Sequence, residues 1–159
     1  VYLSLPREPL AKAWPEEQLI DSKIQSIPCS PSPDENACNF AQELLLKAQH
    51  PLIICQRGDP KGELSEAIAT LSEMLGIPVV ESFPLQNQLP SDHPMHSGFN
   101  AGPLLERSDL VLIVNTQVPW IKSIQGLTNN PTLIQFSGSI KTSTIIPGFN
   151  ISFSCLTST

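Results

Sequence analysis

Two turns in this chain carry residues that could grip an anion. The first is Gln56-Arg57-Gly58-Asp59-Pro60-Lys61-Gly62, where two glycines stand among two cations, Arg57 and Lys61. A glycine turn that leads a strand into a helix can offer backbone N–H groups to a phosphate at the helix N-terminus. The spacing is not Gly-x-Gly-x-x-Gly, and Asp59 and Glu63 place negative charge beside that helix start. Such charge suits the helix dipole but repels a phosphate, a repulsion that Arg57 and Lys61 would have to offset. A plain strand-to-helix turn is the competing reading. The second turn, Asn115-Thr116-Gln117, follows the strongest apolar run and leads into Val118-Pro119-Trp120. Open α/β sheets hold ligands at the carboxyl ends of such strands. A nucleotide crevice would therefore be lined by Arg57, Gly58, Lys61, Asn115, Thr116 and Gln117. Trp120 would cover a ligand ring there or close the sheet against a neighbouring domain, and the second role suits a large aromatic better.

Other chemistry finds little support. His93 and His96 lie three apart, a metal spacing on a helix, but Pro94 and the flanking Ser and Gly make this a loop. Asp92 is the sole further donor nearby, so loop histidines bonded to backbone are expected, with no metal. A serine hydrolase needs a Gly-x-Ser-x-Gly elbow, and Ser97-Gly98 lacks the first glycine. No cysteine has neighbours that would lower its pKa. Hydrolase chemistry is therefore not expected.

Composition narrows the classes further. The 159 residues suffice for one well-buried core, with a formal charge of −6. Lysines and arginines are scattered, which argues against nucleic acid and against an anionic membrane surface. No apolar run approaches the roughly 20 residues that span a bilayer. Cys29, Cys38, Cys55 and Cys155 show no Cys-x-x-Cys spacing, as in a reduced, cytoplasmic protein without structural zinc. An organellar leader is left open, because Val1 is not a start methionine and the chain reads as cut from something longer.

The elements that would position the turns follow from periodicity. Ser32-Pro33-Asp34-Glu35 forms a capping box, after which Ala37, Phe40, Ala41, Leu44, Leu45 and Ala48 share one helical face. Leu52 to Cys55 is a continuous apolar run, suited to a strand buried on both faces. A helix is expected from about Glu63 to Leu75, with Gly76 as its left-handed terminator. Pro78 to Glu81, Leu110 to Val114, Thr132 to Phe136 and Ile151 to Phe153 complete the strands, and Pro103 opens a short helix. Phe83 to Gly102 is a proline-marked polar loop. Strand, helix and parallel strand in this order give a βαβ unit. The fold class is α/β, a doubly wound, mostly parallel open sheet of Rossmann-like type. Residues 32–159 would form it, with 6–31 as a proline-rich linker and 1–5 as the last strand of a preceding domain.

Four stretches resemble the central domain of thiamine-diphosphate-dependent enzymes of the acetolactate synthase and benzoylformate decarboxylase type. Val1-Tyr2-Leu3-Ser4-Leu5-Pro6-Arg7-Glu8 resembles the closing strand of that family's pyrimidine-binding domain. His50 to Gly58 resembles the first central-domain strand and turn, Leu75 to Val80 the second strand. Ser108 to Val114, followed by Val118-Pro119-Trp120, resembles the fourth. The resemblance implies a non-catalytic central domain, inactive alone. Its parent would be a lyase or carboligase acting on 2-keto acids with thiamine diphosphate and magnesium. Partners would be the flanking pyrimidine- and pyrophosphate-binding domains in a homo-oligomer. In members that hold FAD or ADP here, the first turn lies near the nucleotide; Gln56-Arg57 replaces its usual small or glycine-rich opening and argues against both. An independent nucleotide-binding module and a structural domain of a catalytically dead paralogue are the alternatives.

Overall fold

A computed structural model describes residues 4, 6, 7, 11–13, 35–59, 61–121, 129–137 and 151–153. Nearly all of the expected linker, and Ser32 to Asp34 of the capping box, lie outside the described residues. Five strands are present: β1 (Pro51–Cys55), β2 (Val79–Glu81), β3 (Leu110–Val114), β4 (Thr132–Phe136) and β5 (Ile151–Phe153). They form one sheet in the order β2-β1-β3-β4-β5, with every neighbouring pair parallel. The chain steps outward from β1 to β2 and then crosses back over β1 to β3. The order therefore reverses between β1 and β3, which pair from Pro51–Leu110 to Cys55–Val114 and end level.

Alternation along the strands feeds two cores. Ile53, Cys55, Leu110, Leu112, Val114 and Ile134 face helices α1 (Glu35–Lys47) and α2 (Glu63–Leu75). Leu52, Ile54, Val111, Ile113 and Leu133 face the short helix α3 (Gly102–Leu105) through Ala101 and Leu105. Helices on both faces make the sheet doubly wound, and burial on both faces explains why β1 and β3 read as unbroken apolar runs. Gly76 ends α2 at φ 66°, its N–H donating to the Ser72 carbonyl, a left-handed stop that glycine takes without steric cost.

One sequence expectation needs correction. The sequence puts Phe40 on the inward face of α1, yet it is 46% exposed while Ala41 is buried. The inward stripe of α1 is narrower, running through Ala41, Leu44 and Leu45 to Ala48 just past its end. Trp120 packs inward. It is buried in the α3-side core with Leu52, Ile54, Val111 and Ile113.

Asp109 aligns the strand starts. Its carboxylate accepts the N–H groups of Gln49 at 2.7 Å and His50 at 3.0 Å, just ahead of β1. The Asp109 carbonyl accepts the Thr132 N–H at 2.8 Å, at the start of β4. Beyond β2, the stretch Met95 to Gly98 turns back along the outer edge of that strand. Val79 N–H donates to Met95 O at 2.8 Å, Ser97 N–H to Val79 O at 2.8 Å, and Glu81 N–H to Gly98 O at 3.1 Å. No helix among the described residues is long and apolar enough to cross a membrane.

Candidate functional site: the carboxyl ends of strands one and three

The turns that leave β1 and β3 meet at the reversal point, and a single side chain joins them. Gln56, the first residue after β1, is buried. Its carboxamide nitrogen donates to the Phe83 carbonyl at 3.2 Å, and its oxygen accepts the Gln117 N–H at 3.0 Å. The Gln56 carbonyl also accepts the Leu85 N–H at 3.0 Å. One glutamine thus ties the turns following β2 and β3 to the end of β1. Thr116 is fully buried beside it, with its hydroxyl 2.8 Å from the Val114 carbonyl and 3.3 Å from the Ile54 carbonyl. Asn115 holds φ at 45°, a conformation asparagine tolerates better than most residues, and donates its N–H to Phe136 O at 2.9 Å.

The glycine turn is equally committed. The Asp59 carboxylate accepts three backbone N–H groups, from Leu64 at 2.7 Å, Lys61 at 3.0 Å and Glu63 at 3.1 Å. It therefore caps α2 from three residues before Gly62, whose φ of 79° requires glycine's freedom. Burial opposes ionisation of Asp59, but the N–H groups of Leu64, Glu63 and Lys61 outweigh it and hold the pKa below the ordinary carboxylate value. Gly58 donates its N–H to the Gln86 side-chain oxygen at 3.1 Å. The Gln88 carboxamide lies so near that a Cβ on Gly58 would meet its nitrogen at 2.7 Å. Close packing of the β2 loop, not a ligand, thus occupies the space over Gly58.

Of the six expected crevice residues, Gly58, Thr116 and Gln117 take part in this seam directly. Arg57 points into solvent, and Lys61 is exposed beside the Glu63 carboxylate at 3.9 Å. Sequence reasoning missed Gln56, Gln86, Gln88 and Glu81. Glu81, fully buried at the end of β2, accepts the N–H groups of Gln88 at 2.5 Å and Leu89 at 2.9 Å, and His96 lies 3.8 Å from its other oxygen. His93 turns elsewhere, to Glu73 at 3.1 Å, and accepts the Met95 N–H at 3.2 Å. The two histidines thus serve different carboxylates.

This strand order and these turns can be set beside known proteins. Residues 38–143 match the family described as "Thiamine pyrophosphate enzyme, central domain". The chain belongs to that family.

Oxalyl-CoA decarboxylase of Escherichia coli (strain K12) is 26% identical to this central domain over 123 residues, covering 76% of the chain and 22% of the enzyme. Acetolactate synthase of Mycobacterium leprae (strain TN) is 29% identical over 92 residues, 54% of the chain and 15% of the enzyme. The crystal structure of benzoylformate decarboxylase from Polynucleobacter necessarius superimposes with a TM-score of 0.63 at 24% identity, over 79% of this chain and 25% of that one. The chain thus spans about a fifth of the length of oxalyl-CoA decarboxylase.

Magnesium finds no ready ligand set among the described residues of this central domain. No group of three or more His, Cys, Asp or Glu side chains among them could hold a metal ion. Asp59, which follows Gly58, spends its carboxylate on three N–H groups of its own turn. No reaction step is therefore assigned to these residues.

Proposed function

We propose that this chain is the non-catalytic central domain of a larger lyase or carboligase that acts on 2-keto acids with thiamine diphosphate and magnesium. The observation that carries this reading is the family match over residues 38–143, laid upon a parallel sheet whose β1–β3 crevice is filled by its own side chains. In that role residues 32–159 form the domain, 6–31 a connector, and 1–5 the last strand of a pyrimidine-binding domain. The domain sets the spacing of the pyrimidine- and pyrophosphate-binding domains in a homo-oligomeric parent, and neither half of the cofactor site lies within it. In this reading the parent works in the reducing cytoplasm, where four cysteines without Cys-x-x-Cys spacing stay as thiols.

Calorimetry tests the assignment. Thiamine diphosphate with magnesium, titrated into the purified 159-residue chain, is expected to give no saturable heat, and pyruvate no carbon dioxide. Saturable cofactor binding would overturn it.

A further inference from the structure

We infer that Gln56, Asp59 and Gln86 are specificity-determining residues that close the switch-point crevice of this domain against nucleotide phosphates. A phosphate at such a turn is held by backbone N–H groups at the start of the following helix. Here the N–H groups of Lys61, Glu63 and Leu64 already bond to the Asp59 carboxylate, at 2.7 to 3.1 Å. A carboxylate in that position supplies the negative charge and the acceptor oxygens that a phosphate would bring. An incoming phosphate would have to expel Asp59 or lie against a like charge, and either costs affinity.

The remaining approaches are filled by independent contacts. Gly58 has given its N–H to Gln86, and the Gln88 side chain packs over its Cα. Between the two turns, where a ligand would cross from β1 to β3, the buried Gln56 carboxamide spans from Phe83 O to Gln117 N. Arg57 and Lys61, the nearby cations, sit on the solvent side of this seam. The closure is therefore built from three side chains of separate positions and a packed loop. It stands on these distances and not on the family role, so a catalytic parent and an inactive one would share it.

The test follows backbone amide resonances of the 15N-labelled 159-residue chain during titration with ADP, FAD and inorganic pyrophosphate. The amides of Gly58, Lys61, Glu63 and Leu64 are expected to stay unmoved by all three. In Asp59→Ala, hydrogen exchange at Lys61, Glu63 and Leu64 should quicken roughly tenfold or more, while the β3 amides keep their protection. Gln86→Ala, a change in an exposed loop, should quicken Gly58 alone. Saturable shifts of these amides in the unmodified chain would overturn the inference, as would unchanged exchange at Lys61, Glu63 and Leu64 in Asp59→Ala. The ligand titration needs no variant, so it decides the matter even where Asp59→Ala fails to fold.

Discussion

Cys55 and Glu81 are partners on the last rung of the β1–β2 ladder, a thiol set beside a carboxylate with both residues fully buried. Burial first, and the Glu81 charge second, push the Cys55 pKa up to about 12. The thiolate is thus suppressed at the carboxyl end of β1, the very edge where family members were expected to bring a ligand.

Cys55 should consequently resist alkylation. In native protein at pH 8, maleimide is expected to reach Cys38, which is partly exposed, well before Cys55, whose modification must await local opening. Peptide mass mapping over time separates the two. Because the folded pKa lies above the ordinary 9.0, Cys55 contributes full stability below pH 9.0 and loses it as pH rises towards about 12. Urea midpoints of Cys55→Ala should therefore fall less steeply above pH 9 than those of the parent chain. Equal labelling rates at the two cysteines would refute the buried thiol.

Two aspartates predict the opposite dependence in acid. For both Asp59 and Asp109 burial opposes ionisation, and donated N–H groups more than compensate, so both pKa values lie below 3.8. Their contribution is present above that value and is lost as pH falls through the depressed folded pKa. Melting temperature should drop below about pH 4, and Asp109→Ala should flatten that drop while lowering stability at neutral pH by about 1 kcal/mol per lost hydrogen bond. An acid limb identical in Asp109→Ala would show that the carboxylate does not align β1 with β3.

Glu81→Ala removes the acceptor from two buried N–H groups, those of Gln88 and Leu89. Each orphaned donor is expected to cost about 1–3 kcal/mol. Urea denaturation should show this loss, and the two amides should exchange faster than their neighbours. Retained protection at both positions would mean that another group holds the loop.

Much of the fold was legible because it rests on local chemistry. Leu52 to Cys55 and Leu110 to Val114 could only be strands buried on both faces, and Gly76 had to end α2 because the run of inward residues stops there. The seam at the crevice was not legible. Gln56 meets Phe83 27 residues later and Gln117 61 residues later, distances along the chain over which periodicity carries no information. Asp59 was nearer to being read: its charge beside the helix start was plain, but its grip on Leu64 depends on the turn that Gly62 permits. Phe40 misled because a helical face drawn from the sequence is wider than the stripe the sheet can cover.

Gln135 gives a prediction of the opposite sign. It is fully buried in β4, and neither atom of its carboxamide has a hydrogen-bond partner among the described residues. An unpaired buried amide is destabilising, so Gln135→Leu, similar in volume, should raise stability by about 1–2 kcal/mol. A loss on thermal denaturation would reveal a partner for that amide outside the described residues.

The return of Met95 to Gly98 along β2 has a further consequence. A bare strand edge is a template on which a second chain can add and start a growing aggregate. Val79 and Glu81 have already given their outward N–H groups to Met95 and Gly98, and the Val79 carbonyl is taken by Ser97. Recruitment at this side would first require peeling that stretch away, against the His93–Glu73 pair that anchors it. Destabilised forms of the domain are thus protected from edge-to-edge polymerisation at β2 for as long as the loop holds.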